Sequence, residues 1–420
     1  MQSNRGYHML KTKEILGEQI DNANQKYLKE LKEQVSKDKV TWILGAGISK
    51  SVGVPLWPEC LLKMWSRILM LEKENTGATS EFHHAIKELK SQIKKPEKFL
   101  EKINATIKGE SSSEILSGVN TLEAAEYIQN FVRETIEPKT ESAEELYELA
   151  YAALVKDSLK IGKADEEIWE QLKGEVIGEL AAYFIKNFQC NKGVHVISYN
   201  FDNLLEFALE KSGLNKKDCH IKNPGTTNVL EEGSGVHIYH PHGTVEVVST
   251  DYSQESKKLV LAESSYARLE QKAYLWENSI QARALHSTSC VFLGFSGEDY
   301  NFRRIIKNME QDKECQELKH YLFLSIESLV KKIFQKEINN RLLGDIARTE
   351  SEREKYLSEV SREQYDKVLR EAVADESMIY EKMLIIKKLQ AQCLYWQRYN
   401  IIPIWTTRKE LTELVGKILN

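Results

Sequence analysis

Val40-Thr41-Trp42-Ile43-Leu44 is a short apolar run that Gly45-Ala46-Gly47-Ile48-Ser49 stops abruptly. A run closed by glycine in this way predicts a strand buried in a parallel sheet. Further short apolar runs follow at Val194 to Ile197, Val236 to Tyr239, Leu259 to Leu261, Cys290 to Leu293, Tyr321 to Leu324 and Ile401 to Trp405. Most are separated by helical patterns. Strands alternating with helices predict a mainly parallel sheet covered on both faces, an α/β fold of Rossmann-like type with large helical insertions.

The chain has 420 residues, more than one compact core usually reaches, so two lobes or one core with large insertions are expected. An N-terminal helical segment is expected over 1–38, with a charged helix from Leu10 to Lys37 whose apolar stripe runs through Ile15, Ile20, Tyr27, Leu28 and Leu31. Its polar majority suggests a surface or oligomer-contact helix. The sheet domain is assembled from 39–57, 191–326 and 398–420. Helical insertions occupy 58–190 and 327–397. Within the first, helices are expected at Glu59 to Leu71, Thr121 to Glu137, Ser142 to Asp157 and Glu167 to Phe188, with an exposed turn near Lys108 to Ser117.

Composition excludes some classes. Hydrophobic residues at 41% fill a core, and charged residues at 29% suit a soluble surface. A net charge of -5 gives no Lys/Arg excess for binding nucleic acid. No apolar run approaches the roughly 20 residues that span a bilayer, and Met1 to Lys11 has no signal-peptide core. A cytoplasmic location without membrane contact is expected. The six cysteines form no CxxC pair, which predicts neither a disulfide framework nor a structural zinc site; most read as small buried hydrophobes.

Four constellations carry chemistry, each at a predicted strand end. Gly45-Ala46-Gly47-Ile48-Ser49, with Gly53-Val54-Pro55 behind it, permits a tight turn and close approach of backbone to a pyrophosphate. Lys50 stands where a dehydrogenase would place its third glycine, and an unliganded glycine turn is the bland alternative. Ser198-Tyr199-Asn200-Phe201-Asp202 places Asn and Asp at i and i+2, where both can face the crevice beyond the sheet; either could instead cap the helix Leu204 to Lys211. Tyr239-His240-Pro241-His242-Gly243 offers a proton acceptor near neutral pH, and spacing does not choose between the two histidines. Two histidines without neighbouring Cys or carboxylate spacing argue against a metal site. Leu293-Gly294-Phe295-Ser296-Gly297-Glu298-Asp299 gives small residues for a second part of a dinucleotide, or an ordinary turn capped by Asp299.

In this order the four motifs resemble the sirtuin family. Its GAGxS and G-[IV]-P pattern matches Gly45, Ala46, Gly47, Ser49 and Gly53 to Pro55; its N-x-D matches Asn200 and Asp202. Its H-G selects His242, and its G-x-S matches Gly294 and Ser296. The chain departs from protein-deacylating sirtuins at Leu56-Trp57, where they carry Phe-Arg, at Tyr199, where they carry Gln, and in lacking their two CxxC pairs. It is more similar to zinc-free, sirtuin-like NAD hydrolases of bacterial anti-phage systems.

That resemblance implies NAD+ as substrate, no metal, and cleavage to nicotinamide and ADP-ribose as the NAD-depleting effector of an abortive-infection defence. Asn200 and His242 would be catalytic. Gly45, Ala46, Gly47, Ser49 and Pro55 would bind the phosphate side, Asp202 the nicotinamide amide, and Gly294 and Ser296 the adenosine half. A homo-oligomer and a regulatory partner, an ATPase or nucleotide-processing protein, are implied as well. The rival expectations are an NAD-dependent protein deacylase and a non-catalytic NAD or ADP-ribose sensor.

Overall fold

A computed structural model describes residues 18–74, 121–135, 143–225, 233–252, 256, 258–272, 275–309, 318–343, 357 and 360–419. The expected turn near Lys108 to Ser117 and the first residues of the expected Leu10 helix lie outside them. Among the described residues two compact units form, one from 41–283 with 296–305, the other from 1–40, 284–295 and 306–420. No helix among the described residues is long and apolar enough to cross a membrane.

The first unit carries β1 (Val40–Leu44), β2 (Val194–Ser198), β3 (Cys219–Lys222) and β4 (Val236–Tyr239), side by side as β3-β4-β2-β1. All pairings are parallel, with Leu44 opposite Ser198 and Ile197 opposite Tyr239. This register brings the carboxyl ends of β1, β2 and β4, and the three loops that leave them, to one edge of the sheet. Between β1 and β2 the chain is helical at Trp57–Glu74, Thr121–Thr135, Ala143–Leu159, Asp165–Leu172 and Val176–Gln189. The last of these covers the strands through Tyr183 and Phe184, whose rings lie 5.9 and 6.0 Å from that of Trp42.

The second unit holds β5 (Ser289–Leu293), β6 (His320–Ser325) and β7 (Ile401–Thr406), again parallel. Helices Glu327–Leu343, Arg362–Ala374 and Ile379–Gln397 come between β6 and β7 and bury Phe334, Leu369 and Leu389 in one cluster with Trp405. Helix Glu18–Ser36 packs by one face and leaves the other exposed. Leu28, Leu31 and Val35 are buried, and the buried Asn24 amide donates to the Trp405 carbonyl (2.8 Å) and accepts from its N–H (3.3 Å). Seven parallel strands alternating with helices give the expected α/β, Rossmann-like architecture with helical insertions.

Two local expectations are corrected and one strand is added. Leu259 to Leu261 is no strand. Its residues are buried, but it joins no ladder, and Val260 N–H donates to the His242 carbonyl at 2.9 Å. An apolar run without a period marks burial, and here burial means the floor of a loop. Cys219–Lys222 is a strand without an apolar run, because as the outermost strand it pairs only with β4 and stays half-exposed. The expected helix Glu167 to Phe188 is two helices, broken after Leu172.

The break has a steric cause and a use. The second helix packs so closely on the end of the first that a Cβ at Gly178 would stand 2.3 Å from the Leu172 carbonyl oxygen. The first helix then reaches the turn after β1, where Gln171 Nε2 donates to the Ser51 carbonyl at 2.5 Å and Lys163 Nζ to Gln171 Oε1 at 2.7 Å.

Two glycines four positions apart should therefore respond oppositely. Gly178→Ala is expected to lower the urea unfolding midpoint, at a cost of about 1–3 kcal/mol for overpacking. At Gly174 a Cβ meets nothing nearer than 4.0 Å, so Gly174→Ala should be neutral or slightly stabilising. Equal midpoints for the two variants would refute this account of the break.

Candidate active site

The turn after β1 begins at Gly45, which is extended (φ -127°, ψ 168°), and winds as a 3-10 helix from Ala46 to Val52. Gly53 closes it at φ 105°, a conformation that glycine adopts without penalty. Gly47 is exposed, Ala46 is partly so, and Pro55 is buried. Ser49 has no exposed surface.

Ser49 is the meeting point of the first two motifs. Asn200 donates from Nδ2 to Ser49 Oγ at 3.0 Å. The Ser49 hydroxyl is also close enough to the Asp202 carboxyl to lower its pKa. Asn200 gives its amide nitrogen to the Ser49 bond. Its carbonyl oxygen, Oδ1, is then buried with no hydrogen-bond partner among the described residues. A buried acceptor left unpaired costs about 1–3 kcal/mol, so such a group asks for a donor beyond the described residues.

Asp202 serves two purposes. Its Oδ1 accepts the Leu204 N–H at 3.3 Å, as a residue at a helix start does, while Asn200 makes no such cap. Burial pushes the Asp202 carboxyl up to about 6, against the lowering by the Ser49 and Leu204 hydrogen bonds. Nearby Glu206 raises it further, and His240 offsets part of that.

The two histidines, indistinguishable by spacing, have different surroundings. His240 Nε2 lies 2.6 Å from Glu206 Oε1, and both side chains are buried. This partner was missed in the sequence, although a lone glutamate in the apolar stretch Leu204 to Leu209 was a usable signal. His242 is buried among rings: Tyr199 at 5.0 Å edge-on, Tyr266 at 5.3 Å edge-on and Phe201 at 6.4 Å stacked. Its Nε2 lies 3.4 Å from Asp299 Oδ2 without hydrogen-bonding geometry. Burial lowers the His242 pKa, and the Asp299 charge opposes that shift. His242 is therefore neutral at neutral pH and able to take a proton.

Gly243 is what lets the His242 loop turn. It sits at φ +89°, and a Cβ there would come within 2.8 Å of the Lys258 carbonyl oxygen, Leu259 Cδ2 and Ser256 Oγ. The loop is tied to the Asn200 loop, since Val245 N–H and the Thr244 hydroxyl both donate to the Phe201 carbonyl, at 2.7 and 3.1 Å. Asn203 adds further bonds, donating to the Val248 carbonyl at 2.8 Å and accepting from Val247 N–H at 2.8 Å.

Among the expected site residues, Ser49, Asn200 and Asp202 are thus in direct contact, and the His242 loop is bonded to theirs. Ser296 is exposed, and its hydroxyl accepts Glu298 N–H of its own turn at 3.2 Å. Gly294 ends β5 at φ 63°. Tyr266, which donates to Asp299 Oδ2 at 2.9 Å, had no signal in the sequence.

The raised Asp202 pKa carries a stability cost. With a folded value of about 6 against an ordinary 3.8, the folded state holds the proton more tightly. Stability is therefore lost as pH rises from about 3.8 to about 6. Asp202→Asn should relieve that penalty, raising the unfolding free energy at pH 8 by roughly 1–3 kcal/mol while gaining little near pH 4. A variant less stable than the wild type at pH 8 would contradict this reading.

No curated protein matches the chain. Residues 194–343 match the family described as the SIR2-like domain. The match spans Asn200, Asp202, His242, Gly294 and Ser296 but begins after the Gly45 to Pro55 turn, and through it this stretch is similar to sirtuin-like domains, whose chemistry concerns NAD.

Proposed function

We propose that the chain is an NAD+ hydrolase that cleaves the bond between nicotinamide and ribose, releasing nicotinamide and ADP-ribose. The observation that carries the reading is the Asn200 amide. It is held by Ser49 and keeps a buried carbonyl oxygen with no partner among the described residues. Such an acceptor suits a ribose hydroxyl or an attacking water.

In this reading nicotinamide departs as a neutral molecule and the ribose gains oxocarbenium character. Water adds to the anomeric carbon, and its proton must go to a base. Asn200 orients the ribose or the water, and neutral His242 accepts the proton, a role typically worth about 10²–10⁴-fold. Asp202 takes the nicotinamide amide. The Gly45, Ala46, Gly47, Ser49 and Pro55 turn takes the phosphates, and Gly294 and Ser296 the adenosine half. The enclosing rings exclude bulk water, which strengthens each polar contact.

Hydrolysis is favoured over protein deacylation by residues beside Asn200. Trp57 packs toward Phe201, with rings 6.0 Å apart, and the Tyr199 hydroxyl is bound to Gln281 Oε1. Leu56-Trp57 and Tyr199 thus stand where deacylases carry Phe-Arg and Gln, and Tyr199 is anchored there.

The biological setting extends the same proposal: an NAD-depleting effector of abortive-infection defence, held in check through a homo-oligomer and a regulatory ATPase or nucleotide-processing partner. Helix Ile379–Gln397 supports a protein contact, because Ile379, Met383 and Leu394 are all more than half exposed.

The test is NAD+ consumption by the purified full chain, alone and with proteins encoded beside it. Asn200→Ala and His242→Ala should each reduce turnover by roughly a hundredfold or more while remaining folded. Undiminished hydrolysis by both would sink the assignment, and NAD binding without turnover under every condition would favour the sensor.

The pH profile follows from the same groups. With His242 lowered from 6.5, the active neutral base is lost only as pH falls below 6.5, so kcat/KM should be flat from about pH 7 upward and decline on the acid side. A limb centred above pH 7 would exclude His242 as the base.

A further inference from the structure

Asp299 was expected, at most, to cap a helix, and one of its oxygens does so: Oδ1 accepts the Phe302 N–H at 2.7 Å. The other oxygen has a different task. Oδ2 accepts the Tyr266 hydroxyl at 2.9 Å and lies 3.4 Å from His242 Nε2. The carboxylate is therefore pinned by the cap at one end and presented to the imidazole at the other. A cap alone needs one oxygen and does not explain why the second is turned toward a buried histidine. Asp299 is only 10% exposed, so water screens the contact weakly.

We propose that Asp299 is a positioning residue for His242, its Oδ2 orienting the imidazole and stabilising the charge the ring gains on accepting a proton, with Tyr266 sharing that oxygen and tempering its pull. The inference rests on reading His242 as the proton acceptor. A histidine buried among rings pays to become charged, and a fixed carboxylate beside it returns part of that cost. Tyr266 acts in the opposite sense, since each hydrogen bond it donates to Oδ2 spreads charge away from the imidazole. The groups facing His242 are Tyr199 and Phe201 from the β2 loop, Tyr266 from helix Glu263–Gln271 and Asp299 from the loop before helix Tyr300–Met309. Asp299 is the acid among them. It opposes the lowering of the His242 pKa by burial.

The two neighbours thus push His242 in opposite directions, which a merely structural role would not do. The test titrates the His242 imidazole by NMR in the full chain, using histidine labelling, for the wild type, Asp299→Asn and Tyr266→Phe. Asparagine keeps an oxygen for the Phe302 N–H, so the cap survives while the charge is lost. The His242 pKa should fall in Asp299→Asn and rise in Tyr266→Phe. An unchanged value in Asp299→Asn, or shifts of the same sign in both, would overturn the proposal. If Asp299→Asn does not fold, the absence of a rise in Tyr266→Phe overturns it alone. NAD+ turnover is then measured on the same proteins. Asp299→Asn should lose roughly tenfold or more in kcat, with less change in KM, and its acid limb should move with the titration. Wild-type turnover matched by Asp299→Asn in rate and pH profile also overturns the positioning role. A wild type that never consumes NAD+ defeats the hydrolase reading instead, and the titration still decides whether Asp299 governs His242.

Discussion

One serine hydroxyl joins the first strand's turn to the second strand's loop. Ser49 Oγ accepts the Asn200 amide and lies by the Asp202 carboxyl, whose pKa it lowers. The bond from Asn200 holds the amide by its nitrogen. The Asn200 amide cannot flip without breaking it, and Asn200 Oδ1 is left facing no protein donor among the described residues. Everything that positions Ser49 therefore positions the site: the buried strand β1, the turn that Gly53 closes, and the helix Asp165–Leu172 whose Gln171 grips the Ser51 carbonyl.

The electrostatics around that hydroxyl are unfavourable to stability and useful for chemistry. Asp202 and His242 are both buried, and burial shifts both toward their neutral forms. A protein selected for stability alone would fill these positions with apolar side chains, which carry no such penalty. Here the cost is offset by fixed local bonds. His240 and Glu206 pair beneath the loop, and Thr244, Val245 and Asn203 tie it to its neighbours. The pair His240 and Glu206 keeps one histidine as structure, which leaves the other, His242, with rings on three sides and a single carboxylate nearby.

Much of this was legible in the sequence, and the failures have physical causes. β1, β2 and β4 to β7 announce themselves as apolar runs because central parallel strands are buried on both faces. β3 does not, since an outermost strand needs only a half-buried face, and Cys219-His220-Ile221-Lys222 shows no run. Leu259 to Leu261 misleads for the converse reason, because buried residues under a loop look like a strand core. The Asn200 and Asp202 spacing and the His-Gly pair were readable as motifs, but the choice between His240 and His242 depends on Glu206, a contact made across the fold. Asp299 was readable as a cap and only as a cap, because sequence spacing reports the oxygen that bonds Phe302 and not the one that meets His242. Tyr266 gave no sign at all, as its role depends on where helix Glu263–Gln271 lies rather than on its neighbours in the chain.

The surroundings of Asn200 also bear on which acceptor could take the ribose. Acyl transfer to or from a peptide requires a channel wide enough for an extended chain and a lysine stem. Tyr199 precedes Asn200, its hydroxyl bound to Gln281 while its ring meets His242 edge-on, and Phe201, which follows Asn200, has the Trp57 ring 6.0 Å from its own. Tyr199 cannot swing aside without breaking its bond to Gln281, and Gln281 itself donates to the Glu277 carbonyl at 2.6 Å. A water molecule needs none of that width. If the chain cleaves NAD+ as proposed, the anchored Tyr199 ring beside His242 would favour water over a peptide as acceptor, and Tyr199 would share in that outcome with Asn200 and His242.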